Sequence, residues 1–161
     1  IGGRRRLMGG NGGMVGDEAV YAACAQDLVA FAATLVRPDD AADVVSEAVL
    51  TILTAPVWLE ARDKRSLLFR SVYLTSKSWH RSTGRRRARQ VHAVVPDSSE
   101  PEYHEPSEVT TALSDQQRAV VFLTYWCDLD PAGIAQTLEV SEGTVRKQLA
   151  RARATLREVL L

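Results

Sequence analysis

The sequence predicts an all-α protein: two small helical domains joined by an acidic flexible linker, the C-terminal one a helix-turn-helix. Three observations predict it. Apolar residues recur at spacings of three and four in successive segments, the mark of one-sided helices. Residues that start helices stand directly before several of those segments. Between residues 93 and 108 the pattern stops, and Pro96, Pro101 and Pro106 alternate with Asp97, Glu100, Glu102, Glu105 and Glu108. Such a stretch cannot bury a core and stays extended.

Residues 1–16 are Gly-rich, hold Arg4, Arg5 and Arg6, and show no periodicity, so a disordered tail is expected. Residues 17–92 form the N-terminal domain. Its first helix spans residues 17–36, with Val20, Cys24, Leu28, Phe31 and Leu35 on one face. Pro38, Asp39 and Asp40 suit the first turn of a second helix over residues 40–54. There Val44, Ala48 and Ile52, with Val45, Val49 and Leu53, give a broad apolar face opposite an acidic stripe of Asp40, Asp43 and Glu47. Residues 58–62 read as a connector. Asp63 caps a third helix running to about Ser82, where Gly84 is expected to break it. Phe69 and Val72 of that helix read as core, whereas Tyr73 and Trp79 fit a core or a stacking surface equally. Arg70, Lys77 and Arg81, followed by Arg85, Arg86, Arg87 and Arg89, lie among these aromatics. Rings that stack on bases beside cations that follow phosphates are how single-stranded nucleic acid is held.

The C-terminal domain spans residues 109–161. Ser114 and Gln117 make a capping box for a helix to about Trp126. Asp130 then caps a helix with Pro131 at its first position and Ile134, Ala135 and Leu138 inside. Glu139 and Val140 turn the chain. Ser141, with Thr144 three residues on, caps a last helix whose apolar seam is Val145, Leu149, Ala152, Leu156 and Leu160. Ala135 and Gly143 are small enough for close packing at this corner. Arg146, Lys147, Arg151, Arg153 and Arg157 lie between the seam positions, with no acid from 143 to 157. A solvated basic helix would look similar, but the turn, the two caps and the seam together predict a helix that enters a major groove.

The formal net charge is zero, yet it is sharply segmented. Residues 62–92 hold ten bases and one acid, and residues 93–117 hold six acids and no base. Two sites for anionic partners, separated by an acidic strap, fit this pattern better than a neutral surface. Cys24 and Cys127 lack a CxxC partner, and His80, His92 and His104 are scattered, so a metal site is not expected. No cofactor is implied. The apolar run 28–36 is too short to cross a bilayer and no secretory signal is visible, so a cytoplasmic location without membrane contact is expected. No phosphate loop or nucleophile–base pair points to an enzyme.

Residues 113–160, LSDQQRAVVFLTYWCDLDPAGIAQTLEVSEGTVRKQLARARATLREVL, resemble the C-terminal domain of extracytoplasmic-function (group 4) RNA polymerase sigma factors, which recognises the −35 promoter element. RPDDAADVVSEAVLTIL, residues 37–53, resembles the helix with which these factors grip the clamp helices of the polymerase β′ subunit. RSLLFRSVYLTSKSWHRSTGRRRAR, residues 65–89, resembles the helix that melts and reads the −10 element.

The resemblance implies a subunit that binds core RNA polymerase and directs promoter recognition and opening in transcription initiation. It implies −35 contacts from Ser141, Thr144, Arg146, Lys147, Ala150 and Arg151. The −10 element and DNA backbone would meet Arg70, Tyr73, Lys77, Trp79, Arg81, Arg85, Arg86 and Arg87, and polymerase would meet Asp40, Asp43, Ser46, Glu47 and Leu50. Core polymerase (β′ clamp helices and β flap) and promoter DNA are then the partners, and an anti-sigma factor is a further one in many members. The chain departs from the family at Ser46, commonly Gln, at Tyr73-Leu74, commonly Arg-Asn, and at Ser78, commonly Asp. Stacking by Tyr73 and Trp79 would then replace hydrogen bonds. The competing reading is a stand-alone helix-turn-helix regulator with an N-terminal sensing or dimerisation domain, which binds duplex DNA without polymerase.

Overall fold

The structure, a computed structural model, describes residues 16–90 and 111–161, with side chains through Ser82 in the first stretch. The tail before Gly16, the acidic linker at 93–108 and the side chains of Arg85, Arg86 and Arg87 lie outside the described residues. The rest is helical, with no strand among the described residues.

Helix α1 spans Asp17–Leu35 and buries Cys24, Leu28, Phe31, Ala32 and Leu35. A 3-10 turn at Pro38–Asp40 leads into α2, Ala41–Leu53. Val44, Val45 and Ala48 are buried, but Leu53 is exposed, so the apolar face is narrower than the sequence predicts. The predicted connector holds a short helix α3, Val57–Glu60, and its Trp58 is a core residue at 1% exposure. An indole of this size covers the helix ends around it, which period reasoning on four residues cannot detect.

Helix α4 runs over Lys64–Gln90. Asp63 Oδ1 accepts from the Ser66 amide at 3.0 Å and caps it as expected. Gly84 does not break it. One interior glycine costs about 1 kcal/mol relative to alanine, and the good helix formers of RRRARQ after it carry the helix on.

Helices α5 (Asp115–Tyr125), α6 (Pro131–Leu138) and α7 (Glu142–Leu160) make the C-terminal half. The two halves share one core: Phe31 of α1 packs against Phe69 of α4, with ring centroids 5.4 Å apart, and against Phe122 of α5 at 5.2 Å. Each such ring pair adds roughly 0.5–1.5 kcal/mol beyond the area it buries.

Candidate nucleic-acid interface

The helix-turn-helix is α6, the corner at residues 139–141, and α7. Asp130 Oδ1 accepts from the Gly133 amide at 2.7 Å and fixes the start of α6. A Cβ at Gly133 would lie 3.2 Å from that oxygen, so glycine keeps this cap close. Gly143 plays no such part: an added Cβ there would meet only Ser141 Oγ, at 3.8 Å. The smallness of Gly133 thus serves the cap of α6, and close packing at the corner does not require a glycine at 143. Helix α6 ends at Glu139 in the left-handed region, φ 53° and ψ 52°, where glycine is the usual choice. Ser141 Oγ accepts from the Thr144 amide at 3.1 Å and begins α7.

Val145, Leu149 and Ala152 of α7 are buried, Leu156 is half-buried and Leu160 is exposed. The opposite face therefore projects outward, and it carries Arg146, Lys147, Ala150 and Arg151, all exposed. Ser141 and Thr144 flank its start, their hydroxyls 2.9 Å apart. Arg146 reaches Glu142 at 3.2 Å, and Arg153 Nε donates to Tyr125 Oη at 2.8 Å. An exposed i,i+4 ion pair is weak enough to exchange for a phosphate or a guanine edge.

The residues expected at the −10 element are placed less uniformly. Tyr73 is buried, at 4% exposure, with the Lys77 ammonium 4.5 Å from its ring centroid. Trp79 is half-buried against the core, while Lys77 and Arg81 are exposed. Arg70 is ion-paired with Glu139. On α2, Asp43, Ser46, Glu47 and Leu50 form one exposed face, with Asp40 half-exposed at the turn before it. The Ser46 hydroxyl donates back to the Ala42 carbonyl at 2.9 Å, and Leu50 is 67% exposed, an apolar anchor within an acidic stripe. A groove of about 430 Å³ lies between α2 and α4, lined by Glu47, Ile52, Leu67, Arg70 and Leu74 among others.

Sequence reasoning missed the polar bonds between the halves. Trp126 Nε1 donates to Asp27 Oδ1 at 3.0 Å, the Ser66 and Thr137 hydroxyls are 3.2 Å apart, and His80 Nε2 lies 3.7 Å from Asp115. His80 also donates to the Leu35 carbonyl at 2.7 Å. The one signal available was a non-glycine residue at the helix-turn-helix corner. Burial raises the pKa of the Cys24 thiol and pushes that of Cys127 up to about 11. These are packed thiols, not reactive ones. Among the described residues no group of His, Cys, Asp or Glu is arranged to hold a metal ion, and no helix is long and apolar enough to cross a membrane.

Residues 108–156 match the family model described as Sigma-70, region 4. Those residues, the C-terminal part of the chain, are a sigma-70 region 4. The chain as a whole shares the fold of the sigma factor RpoE from Bartonella quintana, solved in complex with the anti-sigma factor NepR. The TM-score is 0.66 at 20% identity, over 89% of this chain and 95% of that one. No curated protein sequence matches the chain. The capped pair α6–α7 is then the helix-turn-helix of that region 4.

Proposed function

We infer that this chain is a sigma factor of the extracytoplasmic-function group. It binds core RNA polymerase, places it on promoters and helps open the DNA. The observation that carries this reading is the outward basic face of α7, set opposite a buried seam within a region 4. That face enters the −35 major groove, where Arg146 and Arg151 meet guanine edges and Lys147 a phosphate. Helix α4 contributes Arg70, Tyr73, Lys77, Trp79 and Arg81 to the −10 element, and the arginines at 85–87 extend it along the backbone. The exposed face of Asp43, Ser46, Glu47 and Leu50, with Asp40, docks on the β′ clamp helices, and region 4 meets the β flap. The factor carries out no chemistry of its own, needs no cofactor and works in the cytoplasm. An anti-sigma factor is a fitting further partner, since the fold is that of a protein solved with one.

Core polymerase mixed with the chain and a set of genomic promoters should yield run-off transcripts. A chain that fails to pull down core, yet binds duplex DNA alone, would instead be a stand-alone regulator.

A further inference from the structure

Helix α7 carries two cations, Arg153 and Arg157, beyond those placed in the −35 groove. Positions 146, 150, 153 and 157 step by four, three and four, so they share one edge of the helix. Arg146, Ala150, Arg153 and Arg157 are all exposed along it. At 1.5 Å per residue, Arg153 and Arg157 stand about 10 and 16 Å further along the axis than Arg146. A recognition helix reads base edges with its N-terminal residues, and the major groove is only about 12 Å wide. The second half of this edge therefore meets the rim of the groove, where the phosphates are, and not its floor.

Arg153 is held differently from Arg146. Arg146 pairs with the Glu142 carboxylate, whereas Arg153 Nε donates to the neutral Tyr125 hydroxyl at 2.8 Å, and its guanidinium lies 5.8 Å from the centre of the Tyr125 ring. A neutral acceptor leaves the positive charge uncompensated. It also takes one of the five guanidinium donors and leaves the two terminal nitrogens to face an anion as a fork. Tyr125 itself is 61% exposed, so the contact adds little to the core. Its place is nevertheless fixed. The next residue, Trp126, stacks on Phe122 with ring centroids 5.7 Å apart and bonds Asp27, which anchors the end of α5. Nearer the start of α5, Gln148 Nε2 donates to Gln116 Oε1 at 3.0 Å, a second bond that sets the rotation of α7.

We propose that Arg153 grips a backbone phosphate of duplex DNA at the rim of the major groove, and that Tyr125 is the residue that positions it. The clamp rests on the reading of α7 as the helix that enters that groove. A long arginine side chain loses rotamer freedom when it is fixed on a phosphate, which weakens binding. Tyr125, with two side-chain torsions and an anchored backbone, orders Arg153 before DNA arrives. Phosphates are alike at every base pair, so the contact sets position and strength but not sequence preference.

Binding of the full chain to a fluorescent duplex of mixed sequence, between about 50 and 200 mM salt, tests the clamp. Arg153→Ala should weaken binding several-fold and flatten the slope of log affinity against log salt by roughly 0.9, the share of one duplex phosphate. Arg153→Lys, which keeps the charge, should restore the slope. Tyr125→Phe keeps the ring and removes the hydroxyl. It should weaken binding roughly two- to tenfold, the ordering cost of one long side chain, with the slope unchanged. It should have no effect in an Arg153→Ala background. An unchanged slope in Arg153→Ala would overturn the phosphate contact. An equal loss from Tyr125→Phe with and without Arg153 would overturn the positioning role and mark a packing effect. Pull-down of core polymerase by the wild-type chain keeps the clamp apart from the wider reading. Core binding with an unaltered Arg153→Ala slope removes the clamp alone; a flattened slope in a chain that does not bind core removes the sigma reading alone.

Discussion

Alkylation of Cys127 tests whether the halves pack as described. The thiol is half-buried, with Asp27 and Arg65 of the N-terminal half as electrostatic neighbours, and burial pushes its pKa from the ordinary 9.0 up to about 11. At pH 8 the folded chain should therefore hold about a hundredfold less thiolate here than the unfolded chain. A thiolate of higher pKa is a better nucleophile, with a Brønsted slope of roughly 0.4–0.5, which returns a little under tenfold. Labelling by iodoacetamide should then be at least about tenfold slower than in urea-unfolded chain, before any steric protection is added. Peptide mass spectrometry separates Cys127 from Cys24, which burial also protects. The folded-state rate should keep climbing between pH 9 and 11, whereas the unfolded chain levels off above 9. The same shift has a sign in stability: a pKa raised by folding contributes below pH 9, and that contribution is lost as pH rises through 11. Equal rates in folded and unfolded chain, or a folded-state plateau near pH 9, would refute the burial and with it the contact of α5 with α1.

Three further outcomes are expected. Arg151→Ala, or Arg146→Ala, should weaken promoter binding by about 1–3 kcal/mol per lost guanine contact in a filter-binding titration. Pull-down of core polymerase should stay unchanged, because both substituted side chains lie on α7 and not on the exposed face of α2. Asp43→Arg should lower core association by reversing the charge on the exposed face of α2, and unchanged association would remove that face from the docking surface. Ser114→Ala removes one side of a capping box whose two bonds measure 3.2 and 3.0 Å. It should cost about 1 kcal/mol in thermal unfolding, with DNA-face residues untouched.

What the sequence made legible is local. Ser114 and Gln117, Asp130 and Gly133, and Ser141 and Thr144 are bonds three residues apart, and residue type alone predicts the caps. The seam of Val145, Leu149 and Ala152 is equally local, since spacing fixes a helical face. What stayed hidden depends on distant partners. Trp58 looks like loop because four residues show no period. Tyr73 fits core or stacking equally until the packing of α4 is known, and the structure buries it. Trp126 and Asp27 are 99 residues apart, and nothing in either neighbourhood announces their bond. The helix-turn-helix was thus readable, while its seat on the N-terminal half was not.

The strength of the Glu139–Arg70 pair follows from where it lies. Both side chains keep contact with water, at 57% and 30% exposure, and such pairs contribute at most about 1 kcal/mol. The pair therefore cannot hold the halves together; the aromatic contact of Phe31 with Phe122 and the shared core must do so. A Phe122→Ala variant should therefore cost about 3–5 kcal/mol in thermal unfolding, well above the loss from Glu139→Gln. If the carboxylate variant had the larger effect, the ion pair and not the aromatic contact would hold the halves together.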